Sequence, residues 1–154
     1  MKRIFVDMDG VLCEFRHASP SALVKKGYFA NLRPQQNVVE AVKILVMLRD
    51  VYILSAYIPG TSALAEKMEW ADRYIPEIKE SQRVFIPVGT NKSVFVNAKE
   101  DDVLADDYWP NLYKWEGKAV KILNGINSYN KRWICVSADD PPEIIAEVIM
   151  SMSQ

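Results

Sequence analysis

The sequence predicts an α/β fold, a doubly wound and mostly parallel sheet with helices on both faces. Short apolar runs rich in Val, Ile and Leu alternate along the chain with longer segments whose apolar residues recur at helical spacing. Continuous apolar runs are typical of strands covered on both faces. Strands that alternate with helices favour a parallel sheet, because each crossover helix packs on one face of it.

The strands are predicted from six apolar runs. The first run stops at Asp7-Met8-Asp9-Gly10, where the glycine permits a tight turn. The second runs into Ser55-Ala56, which we interpret as the start of a polar loop, and the fourth stops abruptly at Asp106-Asp107. Each of these strands therefore ends at polar residues. The predicted strands are residues 3–6, 51–54, 84–86, 103–105, 119–123 and 133–136.

Three helices are predicted from the helical spacing of apolar residues and from residues typical of helix N-termini. The spacing of apolar residues predicts a helix over 37–49. A second helix is expected after Pro59-Gly60-Thr61, with Ser62 as its N-cap, and it runs to Pro76. A last amphipathic helix begins after Pro141-Pro142. Residues 14–34 fit neither a strand nor a core helix, so they are predicted to form a small cap inserted after the first strand.

Length and charge restrict the class of protein. With 154 residues, 49% of them hydrophobic, the chain is expected to form one domain over 1–154. The 19 basic and 20 acidic residues argue against binding to polymeric nucleic acid or to a membrane surface. The N-terminus does not resemble a signal peptide, and no apolar stretch approaches the roughly 20 residues of a membrane span. We therefore expect a cytoplasmic protein with a small-molecule substrate.

Cysteine and histidine usage argues against a zinc site. The chain has two cysteines, Cys13 and Cys135, no CxxC motif, and a single histidine, His17. A zinc site needs more thiolate or imidazole ligands than these. Both thiols are expected to be reduced and buried.

The residues that end the strands predict a phosphate-handling site. In open α/β sheets ligands bind beyond the carboxyl ends of the strands. Asp7, Asp9, Ser55, Lys92 and the pair Asp106-Asp107 are expected to meet there. Gathered carboxylates repel one another unless a cation is present, and a hard divalent ion such as Mg²⁺ suits oxygen ligands. The lysine and the serine supply the charge and the donor that a phosphate oxygen needs.

This order of motifs resembles the haloacid dehalogenase (HAD) superfamily of phosphohydrolases, whose fold is Rossmann-like. The resemblance rests on Asp7-Met8-Asp9-Gly10-Val11, Leu54-Ser55, Asn91-Lys92 and Leu104-Ala105-Asp106-Asp107. The second acid, Asp9, is typical of the phosphatases of the superfamily. Within it, Lys67-x-x-Trp70 and the LADD segment are similar to motifs of the 5′(3′)-deoxyribonucleotidases, although the cap here is shorter than theirs.

The resemblance implies a mechanism through an aspartyl-phosphate. Asp7 is expected to attack phosphorus, and Asp9 to protonate the leaving oxygen and then to activate water. Ser55, the Ala56 amide and Lys92 are expected to bind phosphate oxygens. The expected Mg²⁺ ligands are the Asp7 carboxylate, the Asp9 backbone carbonyl and one acid of the pair. Asp107 is favoured for that place, and Asp106 would then orient Lys92 or a water molecule.

The substrate predicted from the resemblance is a nucleoside monophosphate, and Phe29, Tyr57 and Trp70 are candidate contacts for its base. Another small phosphomonoester, such as a sugar phosphate, is the alternative within the same chemistry. A receiver-like signalling domain or a non-catalytic phosphate-binding protein is the alternative from another class. Receivers place the phosphorylated aspartate after the third strand, whereas nothing acidic follows Ile86 here. A homodimer is compatible with the sequence.

Overall fold

Six parallel strands form a single sheet in the order β3-β2-β1-β4-β5-β6. The structure is a computed structural model that describes residues 2–154. Every neighbouring pair is parallel, so the predicted sheet is confirmed, and all six predicted apolar runs lie in it. The strands are β1 (Arg3–Val6), β2 (Asp50–Tyr57), β3 (Arg83–Pro87), β4 (Val103–Asp106), β5 (Lys118–Leu123) and β6 (Ile134–Ser137).

The order of the strands creates a switch point between β1 and β4. The chain adds β2 and then β3 on one side of β1, and β4, β5 and β6 on the other. Phe5 pairs with Leu104 and Val6 with Ala105, so β1 and β4 end together. The next residues along each strand, Asp7 and Asp106, therefore meet at the carboxyl edge of the sheet, where ligands bind in folds of this class.

Helices cover both faces of the sheet, as predicted, but unequally. The longer α2, α3 and α6 share one face, and the short α4 and α5 lie on the other, where the apolar cluster includes Leu112 and Trp115. The short α1 and α5 lack the length over which periodicity is detectable, so the sequence did not predict them. The helices are α1 (Pro20–Leu23), α2 (Gln36–Leu48), α3 (Ala63–Tyr74), α4 (Lys92–Phe95), α5 (Trp109–Lys114) and α6 (Pro142–Met152).

Alternate residues of the central strands enter two apolar cores. Ile4 and Val6 of β1 pack with α2 and α6, whereas Phe5 between them packs on the opposite face against Trp115. All three strand residues are essentially inaccessible to solvent. Burial of each such side chain contributes about 1.5–3 kcal/mol relative to exposure. The two cores therefore hold the ends of β1 and β4 in a fixed relation.

Three local expectations are corrected. Ser55 and Ala56 lie within β2 and not in a loop, because β3 continues the pairing as far as Tyr57. Ser62 makes no capping hydrogen bond, and Thr61 accepts the Ala63 N–H instead. Of the two free thiols, Cys13 is buried, but Cys135 is only half-buried because it lies on the edge strand β6.

The segment between β1 and α2, residues 14–34, is anchored to α3. The Gly27 N–H donates to Glu66, and the Trp70 indole N–H donates to the Leu32 carbonyl at 2.8 Å. Both α3 side chains are buried. The segment therefore packs beside the carboxyl edge of the sheet. None of the helices formed by residues 2–154 has the length and apolar character needed to cross a bilayer.

Candidate active site

Lys92 joins the ends of the two central strands. Its ammonium donates to Asp7 Oδ1 at 2.9 Å and to Asp106 Oδ2 at 2.7 Å. The lysine is the first residue of α4, whose N-terminus is capped by the Asn91 side chain. All three charged side chains are buried. The short helix thus delivers one positive charge between two carboxylates that the register of β1 and β4 brings together.

The charges around Lys92 raise the pKa of its ammonium. Burial alone would lower this pKa, but Asp106 and Asp7 outweigh burial and hold it above its usual value. The lysine is therefore positively charged at every physiological pH. Such a fixed, buried charge is suited to binding phosphate oxygens.

Three carboxylates converge at the same edge. Asp7, Asp106 and Asp107 each offer an oxygen, and these oxygens lie within 4.8 Å of one another. Burial first, and then the charge of Asp7, raises the pKa of Asp106 to about 6. Burial, Asp7 and Asp106 together raise the pKa of Asp107 to about 8. Three carboxyl groups side by side, of which Asp106 and Asp107 resist ionisation, form the donor set that a hard divalent cation fits.

The two members of the acidic pair differ in how their oxygens are used. Asp106 accepts from the Tyr108 backbone N–H on one oxygen and from Lys92 and Asn111 on the other. Asp107 accepts one side-chain hydrogen bond, from Asn124 at 3.0 Å. In the described chain Asp107 therefore retains more free lone pairs than Asp106 does.

The turn after β1 has room only for glycine. Gly10 has φ +80°, and a Cβ there would overlap the Asp107 carboxylate. The Asn124 side chain donates to the Gly10 carbonyl at 2.9 Å as well as to Asp107. This asparagine follows β5 and so connects three strand ends. The glycine lets the first motif approach the acidic pair closely.

Asp9 lies on the other side of Asp7 and is paired with Lys67 of α3. The Lys67 ammonium lies 2.5 Å from Asp9 Oδ2, 3.1 Å from Ser55 Oγ and 2.7 Å from the Ala56 carbonyl. Burial raises the pKa of Asp9, which the charge of Lys67 opposes and that of Asp7 reinforces. Lys67 therefore contacts both Ser55 and Asp9. Lys92, in the same way, contacts both Asp7 and Asp106.

The site opens into a cleft of about 590 Å³. Its floor includes Asp7, Asp9, Ser55, Ala56, Lys92 and Asp107, and its rim includes Phe15, Val88, Tyr108 and Lys114. Small-molecule sites typically have volumes of about 300–1,000 Å³. The cleft therefore matches a ligand of nucleotide or sugar-phosphate size.

The aromatic residues named as candidate base contacts lie elsewhere. Trp70 is fully buried in the core beside Tyr74, with its indole N–H already bonded. Phe29 is 4% exposed and has the Lys67 ammonium 4.8 Å from its ring centre. Tyr57 ends β2 and is half-buried. None of the three lines the cleft; the aromatic side chains that do are Phe15 and Tyr108.

Two groups of site residues were missed from the sequence. Lys67 lies on the apolar face of α3 with Ala63 and Trp70, and a lysine within an apolar stripe indicates a buried ammonium that needs partners. Asn124 and Asn127 follow β5, and because asparagine is common in turns after a strand, no local signal marks them as site residues. Asn127 donates to the Asp107 carbonyl at 3.0 Å and so supports the acidic pair.

Comparisons with known proteins place the chain in a nucleotidase family. The family model described as "5' nucleotidase, deoxy (Pyrimidine), cytosolic type C protein" matches residues 20–150, which include Ser55, Lys92 and the acidic pair. A Staphylococcus epidermidis protein named "Putative 5'(3')-deoxyribonucleotidase" is 30% identical over 115 residues. The match covers 75% of this chain and 60% of that relative, so the chain spans about three fifths of the relative's length.

A solved structure shares the fold. It is a Burkholderia xenovorans protein titled a "putative haloacid dehalogenase-like hydrolase", with a TM-score of 0.64 and 11% identity over 99% of each chain. At that identity the likeness shows the fold alone, and the fold is that of HAD-like hydrolases. Because the family model matches residues 20–150, most of the sequence, the chain belongs to the family described as "5' nucleotidase, deoxy (Pyrimidine), cytosolic type C protein".

Proposed function

We propose that the protein is a Mg²⁺-dependent phosphomonoesterase that dephosphorylates deoxyribonucleoside monophosphates through an aspartyl-phosphate. One observation carries the proposal: the buried Lys92 bridges Asp7 and Asp106, and oxygens of Asp7, Asp106 and Asp107 converge at the cleft that Ser55 also lines. A nucleophile, a phosphate-binding cation and a cation-binding set of acids then occupy one cleft. Membership of the nucleotidase family supports the choice of substrate.

In the proposed reaction Asp7 is the nucleophile. Lys92 holds its Oδ1, and among the described residues no hydrogen bond occupies Oδ2. A carboxylate oxygen forms a bond to phosphorus as the ester P–O bond breaks, and Asp9 gives a proton to the leaving oxygen. Asp9 then accepts a proton from water, whose oxygen attacks phosphorus and releases Asp7 and inorganic phosphate. The two displacements replace a single difficult one.

Ser55, the Ala56 amide and Lys92 are the proposed contacts for the phosphate oxygens. The Ser55 oxygen lies in hydrogen-bond distance of the Lys67 ammonium and acts there as the acceptor, because an ammonium can only donate. The hydroxyl proton of Ser55 is thereby left to be donated to phosphate. Donors fixed in a buried site stabilise the charge that develops on those oxygens in the transition state.

The residues present fit a Mg²⁺ ion. Asp7 and Asp107 supply carboxylate oxygens, and the Asp9 backbone carbonyl is the third proposed ligand. We place Asp107 rather than Asp106 as the direct ligand, because protein donors already occupy both oxygens of Asp106. When bound, the ion neutralises charge on the acids and on the phosphate and orients the two for in-line attack.

The base of the nucleotide is proposed to lie against the rim of the cleft. Phe15 and Tyr108 are the aromatic side chains placed there, and stacking of a base on such a ring contributes about 1–3 kcal/mol in known cases. A small-molecule substrate in a cytoplasmic enzyme, with no partner among nucleic-acid polymers or membranes, completes the proposal.

The test is release of inorganic phosphate from a panel of substrates, with Mg²⁺ and with EDTA. The panel contains deoxy- and ribonucleoside 5′- and 3′-monophosphates and sugar phosphates. We expect Mg²⁺-dependent release from deoxyribonucleotides by the wild type and none by Asp7→Asn. Asp101→Asn, at an exposed acid outside the cleft, is the matched control and should keep full activity. Preference for sugar phosphates would replace the proposed substrate, and turnover by Asp7→Asn would remove the proposed nucleophile.

A further inference from the structure

Lys67 is a buried ammonium with complete pairing. Its side chain has no exposed surface, although it extends from the middle of α3. The three N–H groups of an ammonium are matched here by three oxygens: a carboxylate oxygen of Asp9, the Ser55 hydroxyl and the Ala56 carbonyl. Burial of a lysine is costly unless each donor is satisfied. An apolar residue at position 67 would fill the core without that cost. The presence of a buried ammonium there therefore indicates a functional role.

The partners of Lys67 are two groups that the proposed reaction uses separately. Asp9 is the proposed acid and base, and Ser55 is a proposed phosphate donor. Lys67 holds Asp9 by Oδ2, while Oδ1 has only a 3.8 Å contact with the Cys13 thiol. One oxygen of the carboxylate is therefore fixed, and the other is left for proton transfer. The Ala56 carbonyl fixes the ammonium itself to β2.

We propose that Lys67 is a positioning residue that holds the Asp9 carboxylate and the Ser55 hydroxyl at one fixed spacing. The ester oxygen and the phosphate oxygens of one substrate then meet their donors at the same time. A well-positioned group is worth much more than a free one, because the reacting atoms must approach within about 3–3.5 Å in the correct orientation. This inference rests on the proposed function, since it assigns Lys67 a part in that reaction.

The proposal has a signature that depends on the leaving group. When the P–O bond of a nucleoside monophosphate breaks, the departing alkoxide needs a proton from Asp9. The departing p-nitrophenolate is a stable anion and needs none. The later attack of water, which Asp9 also assists, is the same for both substrates, so the comparison uses kcat/KM, which covers only the steps up to release of the leaving group. Loss of the residue that positions Asp9 should therefore lower kcat/KM far more with the nucleotide than with p-nitrophenyl phosphate. Damage to the fold would slow the two reactions equally.

The experiment measures kcat/KM for a deoxyribonucleoside 5′-monophosphate and for p-nitrophenyl phosphate at saturating Mg²⁺. Lys67→Met keeps the length of the buried stem and removes the ammonium. We expect kcat/KM to fall about 100-fold with the nucleotide, the scale of general acid catalysis, and less than about tenfold with p-nitrophenyl phosphate. Lys67→Gln keeps a hydrogen-bond donor and should lie between Lys67→Met and the wild type; it also provides the test if Lys67→Met does not fold.

A control variant separates positioning from packing. Glu66→Gln changes the neighbouring buried residue of α3, which contacts Gly27 and Ser62 but not Asp9. It should change the two rates in equal proportion. In an Asp9→Asn background, Lys67→Met should cause no further leaving-group-dependent loss, because residues that act through one another are not additive.

Two failures are distinguishable. If the wild type hydrolyses neither ester, the proposed function falls, and this inference falls with it. If the wild type is active and Lys67→Met lowers the two rates equally, only the positioning role is overturned. Full additivity of Lys67→Met with Asp9→Asn would overturn it as well.

Discussion

Both ends of the β1–β4 pair carry charged side chains, but the ratio of positive to negative charges differs between the two ends. At the amino ends one cation, Arg3, meets one carboxylate, Asp102. At the carboxyl ends one cation, Lys92, lies between Asp7 and Asp106, with Asp107 beside them. The same two strands therefore hold a charge-matched pair at one edge of the sheet and an excess of carboxylates at the other.

The pair at the amino ends is satisfied by the protein alone. Arg3 contacts Asp102 through its backbone N–H, Nε and Nη2, at 3.1, 3.2 and 2.5 Å, and the Lys99 backbone N–H adds a fourth donor. Burial alone would raise the pKa of Asp102, but these hydrogen bonds outweigh it and hold that pKa below its usual value. The folded protein thus favours the charged form of this carboxyl.

The carboxyl-end cluster shows the opposite behaviour, because burial and mutual repulsion raise the pKa values of Asp106 and Asp107. The protein does not supply enough positive charge for its acids there. The difference favours a stabilising role for the amino-end pair and agrees with the proposed role of the carboxyl-end cluster in holding a cation and a phosphate. Perturbed acids in a cleft are typical of functional sites.

Among the variants that should keep some turnover, the largest effect is expected from Lys92→Met. Removal of the ammonium takes away a donor to the phosphate oxygens, so kcat for phosphate release should fall about 10²–10³-fold, the cost of deleting one such donor. Steady-state kinetics with the preferred nucleotide measure it. Lys131→Met, at an exposed lysine that does not line the active-site cleft, is the control. A loss below tenfold would mean that Lys92 does not contact the reacting phosphate.

Mg²⁺ should stabilise the wild type through the carboxyl-end cluster. At a hundredfold excess over Kd, a ligand adds about 2.7 kcal/mol, which raises Tm by about 5–10 °C in a protein of this size. Asp107→Asn should abolish most of this shift, and Asp101→Asn should keep it. Thermal unfolding with Mg²⁺ and with EDTA is the measurement. An unchanged shift in Asp107→Asn would make Asp106 the better candidate for the direct ligand.

Asp102→Asn should lower stability and leave kcat unchanged. Loss of the charge-assisted hydrogen bonds is expected to reduce the free energy of unfolding by about 1–3 kcal/mol at pH 7. The folded-state pKa of Asp102 lies below the unfolded value of about 3.9. Its contribution is therefore present above that value and is lost as the pH falls through the folded-state pKa.

Urea denaturation of Asp102→Asn and the wild type over a pH series checks this expectation. The difference between the two proteins should stay constant near neutral pH and close in acid. A difference that widens as the pH falls would contradict the role assigned to the Arg3–Asp102 pair.

Much of the fold could be predicted because its signals are local. Each strand contains an apolar run that the sequence shows, and the runs of β1, β2 and β4 stop at polar residues. Where the prediction failed, distant contacts decide the structure. Ser55 and Ala56 look like the start of a loop, yet they pair with Phe85 and Ile86 of β3. No local pattern reveals a partner that lies 30 residues further along the chain.

The site was also predictable only where its residues lie at the ends of strands. Asp7, Lys92 and Asp106 follow from the rule that ligands bind at strand ends, and the structure brings them into contact. Lys67 reaches Asp9 across 58 positions of the chain, so its role depends on how α3 packs. Trp70 was a candidate contact for the base because it is aromatic and lies in a segment expected near the site entrance, but the same packing places it in the core.

The most direct test measures kcat and the free energy of unfolding together on Asp7→Asn and Asp102→Asn. Each variant removes one negative charge at one end of the β1–β4 pair. We predict that Asp7→Asn loses turnover and keeps its stability, and that Asp102→Asn loses stability and keeps its turnover. Persistent phosphate release by a folded Asp7→Asn would contradict the account.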